Sequence, residues 1–231
     1  MLALAVMAAS GCGGAGQPSA PPIPTVVGKP VVTSMPYGLP GTTGYDTIVA
    51  TTVTNKTGKD ILNAPLKVTV TGGGKTLAVS SEDTVSLVAG ETRVVLSTPE
   101  VTGTKPSAAS VKAYEGDTLP GQKPLPNPKF WKTTNVHIQC GTGIVGCEIT
   151  ADLTWTGSGT PTISGADAVV TKGKGGPIVA GGQLSSDHSG PVSANQPIPF
   201  KGFIVGDALT SGKVAGLTTT LYVKSSAISQ Q

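Results

Sequence analysis

The sequence predicts an all-β protein, and three observations support this class. Glycine, with 32 of the 231 residues, and proline, with 19, interrupt helices, whereas the plentiful valine and threonine suit pleated strands. Short segments alternate apolar and polar residues, and no segment shows the 3.6-residue period of an amphipathic helix. Turn residues recur about every 8–12 residues, which is the spacing expected between the strands of a β-sandwich.

The N-terminus has a short apolar run at residues 2–8, then small residues at 9–11, and then Cys12. Small residues let a peptidase groove approach the backbone, and only a thiol accepts a thioether-linked lipid. This pattern resembles the bacterial lipoprotein signal. The resemblance implies a signal at residues 1–12, with Cys12 as the lipid-bearing first residue of the mature chain on the extracytoplasmic face of the cell membrane. The alternative is an ordinary N-terminus with an odd cysteine.

Residues 13–24 are a predicted flexible linker, because they are Gly, Pro, Ala, Ser and Gln with one Ile.

Residues 25–115 read as a first β domain. Its best example of a half-buried strand is Leu66, Val68 and Val70, which alternate with polar residues before a glycine-rich turn. Seven or so such strands predict an immunoglobulin-like β-sandwich.

Within this domain, an Asn-x-Thr-Gly turn, a Val-rich strand, a Gly-Lys turn, a strand and a Gly-Glu-Thr turn follow one another. This order resembles the FxLYD-type and related immunoglobulin-like modules of bacterial envelope lipoproteins. The resemblance implies a sandwich fold and no catalytic residues. The matching residues are Val53, Asn55, Thr57, Gly58, Val68, Val70, Gly74, Lys75, Gly90, Glu91 and Thr92.

Residues 116–128 are a predicted Pro-rich linker, because prolines at this density hold a partly stiff connection. Residues 129–226 read as a second β domain, and 227–231 as a polar tail. The clearest strand of the chain runs from Cys147 to Trp155, where every second residue is apolar. The predicted fold is therefore two tandem immunoglobulin-like β-sandwich domains.

Cys140 and Cys147 lie on the apolar faces of two successive strands with a Gly-rich segment between them. An even pair of cysteines in an exported domain predicts a disulfide. A hairpin would bring the two within bonding distance near its turn.

Charge and motif content exclude several function classes. The net charge of +3 is spread thinly, so no nucleic-acid partner is predicted. With two histidines and the cysteines paired, neither a metal site nor a cofactor is predicted. Residues 72–76 contain Gly-Gly-Gly-Lys-Thr, but a strand pattern follows, so a hairpin turn is favoured over a phosphate loop. Asp187, His188 and Ser189 are adjacent and cannot form a catalytic relay.

Phe130 and Trp131, flanked by lysines, form an unusual aromatic pair. They are the candidate contacts for a sugar ring or a protein partner. The alternative is a structural role, either as a wedge between the domains or as the first strand packing into the second domain.

Together these features predict a non-enzymatic, membrane-anchored surface lipoprotein that mediates protein interaction or scaffolding in the cell envelope. Its partners would be the membrane, through the lipid on Cys12, and an envelope protein that the sequence does not identify. One alternative is a binding module for cell-wall glycan or a peptide that uses Phe130 and Trp131. A second alternative is a hydrolase with an unrecognised site.

Overall fold

A computed structural model describes residues 22–36, 41, 43–118, 125–141, 146–209 and 214–229. The all-β prediction is confirmed: the described residues form thirteen strands and two short 3-10 helices, at Pro128–Phe130 and Asp207–Leu209. The strands are β1 (Thr25–Pro36), β2 (Gly44–Thr54), β3 (Ile61–Gly72), β4 (Lys75–Leu87), β5 (Thr92–Ser97), β6 (Val101–Thr102), β7 (Ala108–Ala113), β8 (Trp131–Cys140), β9 (Cys147–Trp155), β10 (Thr160–Lys172), β11 (Ile178–Ser185), β12 (Pro197–Ile204) and β13 (Leu217–Ser229).

The first half of the chain, β1 to β7, forms two antiparallel sheets. One sheet has the order β1-β2-β5, with β6 also paired to β2, and the other has the order β4-β3-β7. Their facing sides bury two clusters of aliphatic side chains, as in a β-sandwich. The fully buried members include Val49, Val53, Ile61, Leu66, Val68, Val70 and Leu87.

Two turns of this half follow directly from residue chemistry. Gly73 and Gly74 have φ values of 56° and 76°, a region that glycine enters without steric cost, and they connect β3 to β4. The predicted hairpin turn is confirmed. Asn55 is fully buried, and its amide nitrogen donates to the carbonyls of Lys59, Leu87 and Val88 at 2.8, 3.2 and 3.1 Å. Its side chain therefore ties two loops together.

The second half, β8 to β13, forms a single six-stranded antiparallel sheet with the order β13-β10-β11-β12-β9-β8. The sheet curves until its edge strands β13 and β8 contact each other, so that its concave face becomes its own core. Trp155 is the largest fully buried side chain there. The expected second sandwich thus takes the form of one curved sheet. Alternation identifies the buried face of a strand, but the same face can pack on a second sheet or on other strands of its own.

Strand β2 lies in a middle layer and is buried on both faces. Val49 and Val53 point into the first-half sandwich, whereas Ile48 and Ala50 pack against the convex side of the six-stranded sheet. We call this contact between the halves the seam. Its buried apolar residues are Met35, Ile48, Ala50, Val94 and Leu96 from the first half and Val169 and Val205 from the second.

A glycine allows the close approach at the seam. A Cβ placed on Gly181 of β11 would lie 3.0 Å from Cδ1 of Leu96 and 3.3 Å from Cγ2 of Ile48. Any larger side chain at this position would push the two halves apart. The two halves are therefore in close contact at Gly181.

The Pro-rich linker is held against the first half where the structure describes it. Leu125 is buried, and its backbone N–H donates to Oδ2 of Asp60 at 3.0 Å. Residues 119–124 of the predicted linker lie outside the described residues. The division into domains at residues 25–115 and 129–226 stays a prediction.

Candidate functional site

The predicted disulfide is present. Cys140 at the end of β8 is paired in register with Cys147 at the start of β9. Their Cα atoms are 4.2 Å apart and their sulfurs are bonded. Cys12, the predicted lipid attachment site, lies outside the described residues.

Phe130 and Trp131 lie where the chain enters the second half. The ring of Trp131 is 5.1 Å from that of Trp155, and the ring of Phe130 meets Trp155 edge-on at 5.7 Å. The Phe130 carbonyl accepts hydrogen bonds from the N–H and the hydroxyl of Thr156 at 2.9 and 2.8 Å. These contacts fit the structural alternative, in which the pair packs into the second domain.

Part of this aromatic pair still faces solvent. Phe130 is 37% exposed, and the Lys129 ammonium lies 5.0 Å from the centre of its ring. The contact role of Phe130 and Trp131 stays a prediction.

The other motifs singled out in the sequence are not brought together. Asp187 and His188 lie in the loop after β11, where Asp187 is 3.8 Å from the Lys201 ammonium. The His188 backbone N–H donates to Oγ of Ser186 at 3.2 Å. His137 lies on an exposed stretch of β8.

A cavity of about 360 Å³ lies beside the seam, where β3, β4 and β5 meet β10, β13 and the end of the linker. Its apolar wall is formed by Leu62, Val85, Val95 and Leu125. Clefts between packed units are common locations for ligand sites, and this volume is within the usual range. We therefore take this seam cavity as the candidate functional site.

Asp167 of β10 lies at the centre of the polar wall and is only 1% exposed. Its Oδ1 is 2.8 Å from the Lys224 ammonium of β13, and its Oδ2 accepts a hydrogen bond from the N–H of Leu96 at 3.3 Å. Burial raises the pKa of this carboxyl above its usual range, and the Lys224 charge opposes the rise. The carboxylate thus joins the second half to a backbone group of the first.

Arg93 of β5, in the first half, makes a similar contact with the backbone of the second half. Its guanidinium donates from Nη2 to the Val223 carbonyl at 2.9 Å and lies 5.8 Å from the centre of the Tyr222 ring. Nη1 is 3.7 Å from Oε1 of Glu91, and burial raises the pKa of that carboxyl. The Arg93 side chain is 10% exposed, and its Nε has no hydrogen-bond partner among the described residues.

Sequence reasoning missed this cluster. Asp167 lies inside β10, and it was not among the candidate residues of the sequence analysis. The sequence did contain an indication of this site, because Asp167 stands between two alanines and ahead of two valines. A carboxylate buried in such an apolar strand needs a charged or hydrogen-bonding partner. The groups that contact Asp167, at positions 96 and 224, come from distant parts of the chain.

Comparisons with known proteins supply no relative. No protein-family profile, no curated protein and no solved structure matches the chain. Within the described ranges, no cluster of three or more His, Cys, Asp or Glu residues is arranged to hold a metal ion. A helix with the length and apolarity to cross a bilayer is also absent from those ranges.

Proposed function

We propose that this protein is a non-enzymatic surface lipoprotein, tethered to the cell membrane through Cys12, that binds another component of the cell envelope. The observation that carries the extracytoplasmic placement is the Cys140–Cys147 disulfide. Structural disulfides persist in oxidising compartments outside the cytoplasm. That placement agrees with the small-residue and cysteine pattern that ends at Cys12.

The architecture supports a binding role. The two halves share a buried apolar seam, and the Asp167 and Arg93 side chains reinforce it with contacts from each half to the other. A body held in this way presents its surfaces in fixed relative positions. Preorganised surfaces bind with a smaller loss of conformational entropy.

The linker supplies the distance from the membrane. Residues 13–24 span at most about 40 Å when fully extended, since each residue adds about 3.3–3.6 Å. That reach exceeds the polar headgroup layer of a bilayer, which adds only about 5–8 Å on each side of the hydrocarbon core. The folded part would therefore stand clear of the lipid surface.

The anchor is tested by Cys12→Ser in the full-length chain. We expect the variant to appear in the medium and to lose palmitate label, whereas Ser10→Ala keeps both the label and the membrane association. Continued fractionation of Cys12→Ser with membranes would contradict the proposal.

A glycan- or peptide-binding module is the second candidate, because Phe130 keeps an exposed ring edge beside a cation. Co-sedimentation with purified cell wall tests it. We expect Phe130→Ala to reduce the bound fraction and Tyr114→Ala, which removes an equally exposed ring at 38%, to leave it unchanged. Equal binding by both variants would remove this candidate.

A further inference from the structure

The seam cavity has the features of a ligand site that the tethering proposal does not use. We propose that it binds a small organic carboxylate with an apolar body. The inference concerns the folded part only and holds whether or not Cys12 carries lipid.

The polar wall of the cavity offers donors in excess of acceptors. The Nε–H of Arg93 is buried and has no partner among the described residues. The Lys224 ammonium carries three N–H donors, and the Asp167 carboxylate lies 2.8 Å from it. Both oxygens of Asp167 already have close contacts, one with Lys224 and one with the N–H of Leu96. A ligand that satisfies this wall must bring acceptors.

The charged residues that line the cavity favour an anionic ligand. Among the residues that line the cavity, Arg93 and Lys224 are cationic and Asp167 is the single carboxylate. Glu91 approaches Arg93 but lines a neighbouring, much smaller space rather than this cavity. A ligand with one negative charge would balance the charges of the residues that line the cavity, while Glu91 faces Arg93 from outside it. An arginine side chain binds a carboxylate through charge-assisted hydrogen bonds that are stronger than neutral ones.

The apolar wall of the cavity favours a ligand whose uncharged part is also apolar. Leu62, Val85, Val95 and Leu125 present aliphatic surface from three strands and the linker. Covering apolar surface stabilises a complex by roughly 25 cal/mol for each Å² removed from water. A short aliphatic or branched acid therefore fits both the volume of about 360 Å³ and the division of the wall into polar and apolar sides.

Titration of the purified full-length chain with hexanoate and with its uncharged counterpart hexanamide tests the proposal. We expect hexanoate to bind at least about tenfold more tightly, because an ionised acceptor roughly doubles the strength of each hydrogen bond. Equal affinities, or no binding of hexanoate at millimolar concentration, would overturn it.

The location is tested by a matched pair of variants on one strand. Thr84 and Thr76 are both exposed residues of β4, but only Thr84 lines the cavity. We expect Thr84→Trp to weaken hexanoate binding at least about tenfold by occupying the cavity mouth, while Thr76→Trp keeps wild-type affinity. Equal loss in both variants, or in neither, would place the site elsewhere and refute the inference.

The carboxylate has two sources, a free acid or the C-terminus of a peptide. N-acetyl-Val-Leu and its C-terminal amide separate them. Tighter binding of the peptide acid than of hexanoate assigns the site to a chain end, and the reverse order assigns it to a free acid. Either order supports the proposal if the amide forms bind weakly, and amides that bind as well as the acids contradict it.

Discussion

The Cys140–Cys147 bond allows a quantitative test of what stabilises the second half. The two cysteines are seven positions apart, so the bond closes a loop of eight residues. The loop-entropy relation then gives about 8 cal/mol/K, or about 2.5 kcal/mol at 25 °C. A reduced chain should lose this amount from its free energy of unfolding. For a protein of this size the corresponding fall in Tm is about 5–10 °C.

The measurement compares oxidised and reduced wild-type chain in guanidinium denaturation monitored by tryptophan fluorescence. Trp155 is buried in the core of the second half and Trp131 packs against it, so the signal reports on that half. Reducing the bond in the wild type is preferable to substitution, since Cys147 is fully buried and a serine would place a hydroxyl in the core.

A Cys140→Ala/Cys147→Ala variant controls for the reductant, which should leave its unfolding curve unchanged. If oxidised and reduced wild type unfold within about 0.5 kcal/mol of each other, the bond does not restrict the unfolded chain as the entropy relation requires. The reasoning would then be refuted even though the bond exists.

The remaining predictions concern the seam. Leu96→Ala should lower the free energy of unfolding by about 2–5 kcal/mol, because Leu96 is buried in the seam. The control Val79→Ala, at a position that is 55% exposed, should change it by less than about 0.5 kcal/mol. Equal effects of the two substitutions would contradict the packing of Leu96 in the seam. Gly181→Val should cost about 1–3 kcal/mol by overpacking against Leu96, as measured by denaturation. Burial raises the pKa of Asp167, so the folded chain binds this proton at a higher pH than the unfolded chain. The free energy of unfolding of the wild type, relative to that of Asp167→Asn, should therefore rise as the pH falls from 7 toward 3.8, the ordinary pKa of an aspartate, and should level off below that pH. A decline over this range would contradict a raised pKa at Asp167.

Local pattern was sufficient to predict the strands and the disulfide. Leu66, Val68 and Val70 alternate with polar residues, and the structure buries all three on one face of β3. The strand from Cys147 to Trp155 is present with the predicted bounds, because period-two alternation reflects the geometry of an extended backbone. These features depend only on neighbours along the chain.

What covers each face could not be predicted in this way. Ile48 and Ala50 lie on the opposite face of β2 from Val49 and Val53, and the structure buries both faces, one in the seam and one in the sandwich. The candidate site was missed for the same reason, since Arg93 and the residues it meets on β13 are far apart in sequence.

The position of β1 has a mechanical consequence. The chain joins the fold at Pro22, whose carbonyl accepts a hydrogen bond from the Gly116 N–H at 3.2 Å, and Pro24 is buried. The strand that follows, β1, is an edge strand that pairs antiparallel with β2 from Thr25↔Thr54 to Pro36↔Tyr45. If the proposed anchor at Cys12 holds the chain under load, tension reaches the hydrogen bond between Pro22 and Gly116 first and the ladder bonds of β1 next. The register break between Val27 and Val31 divides the ladder into a short outer segment and a longer inner one. Within the ladder, the outer segment would separate first, which withdraws Val26 from the first-half core but involves none of the residues that line the cavity.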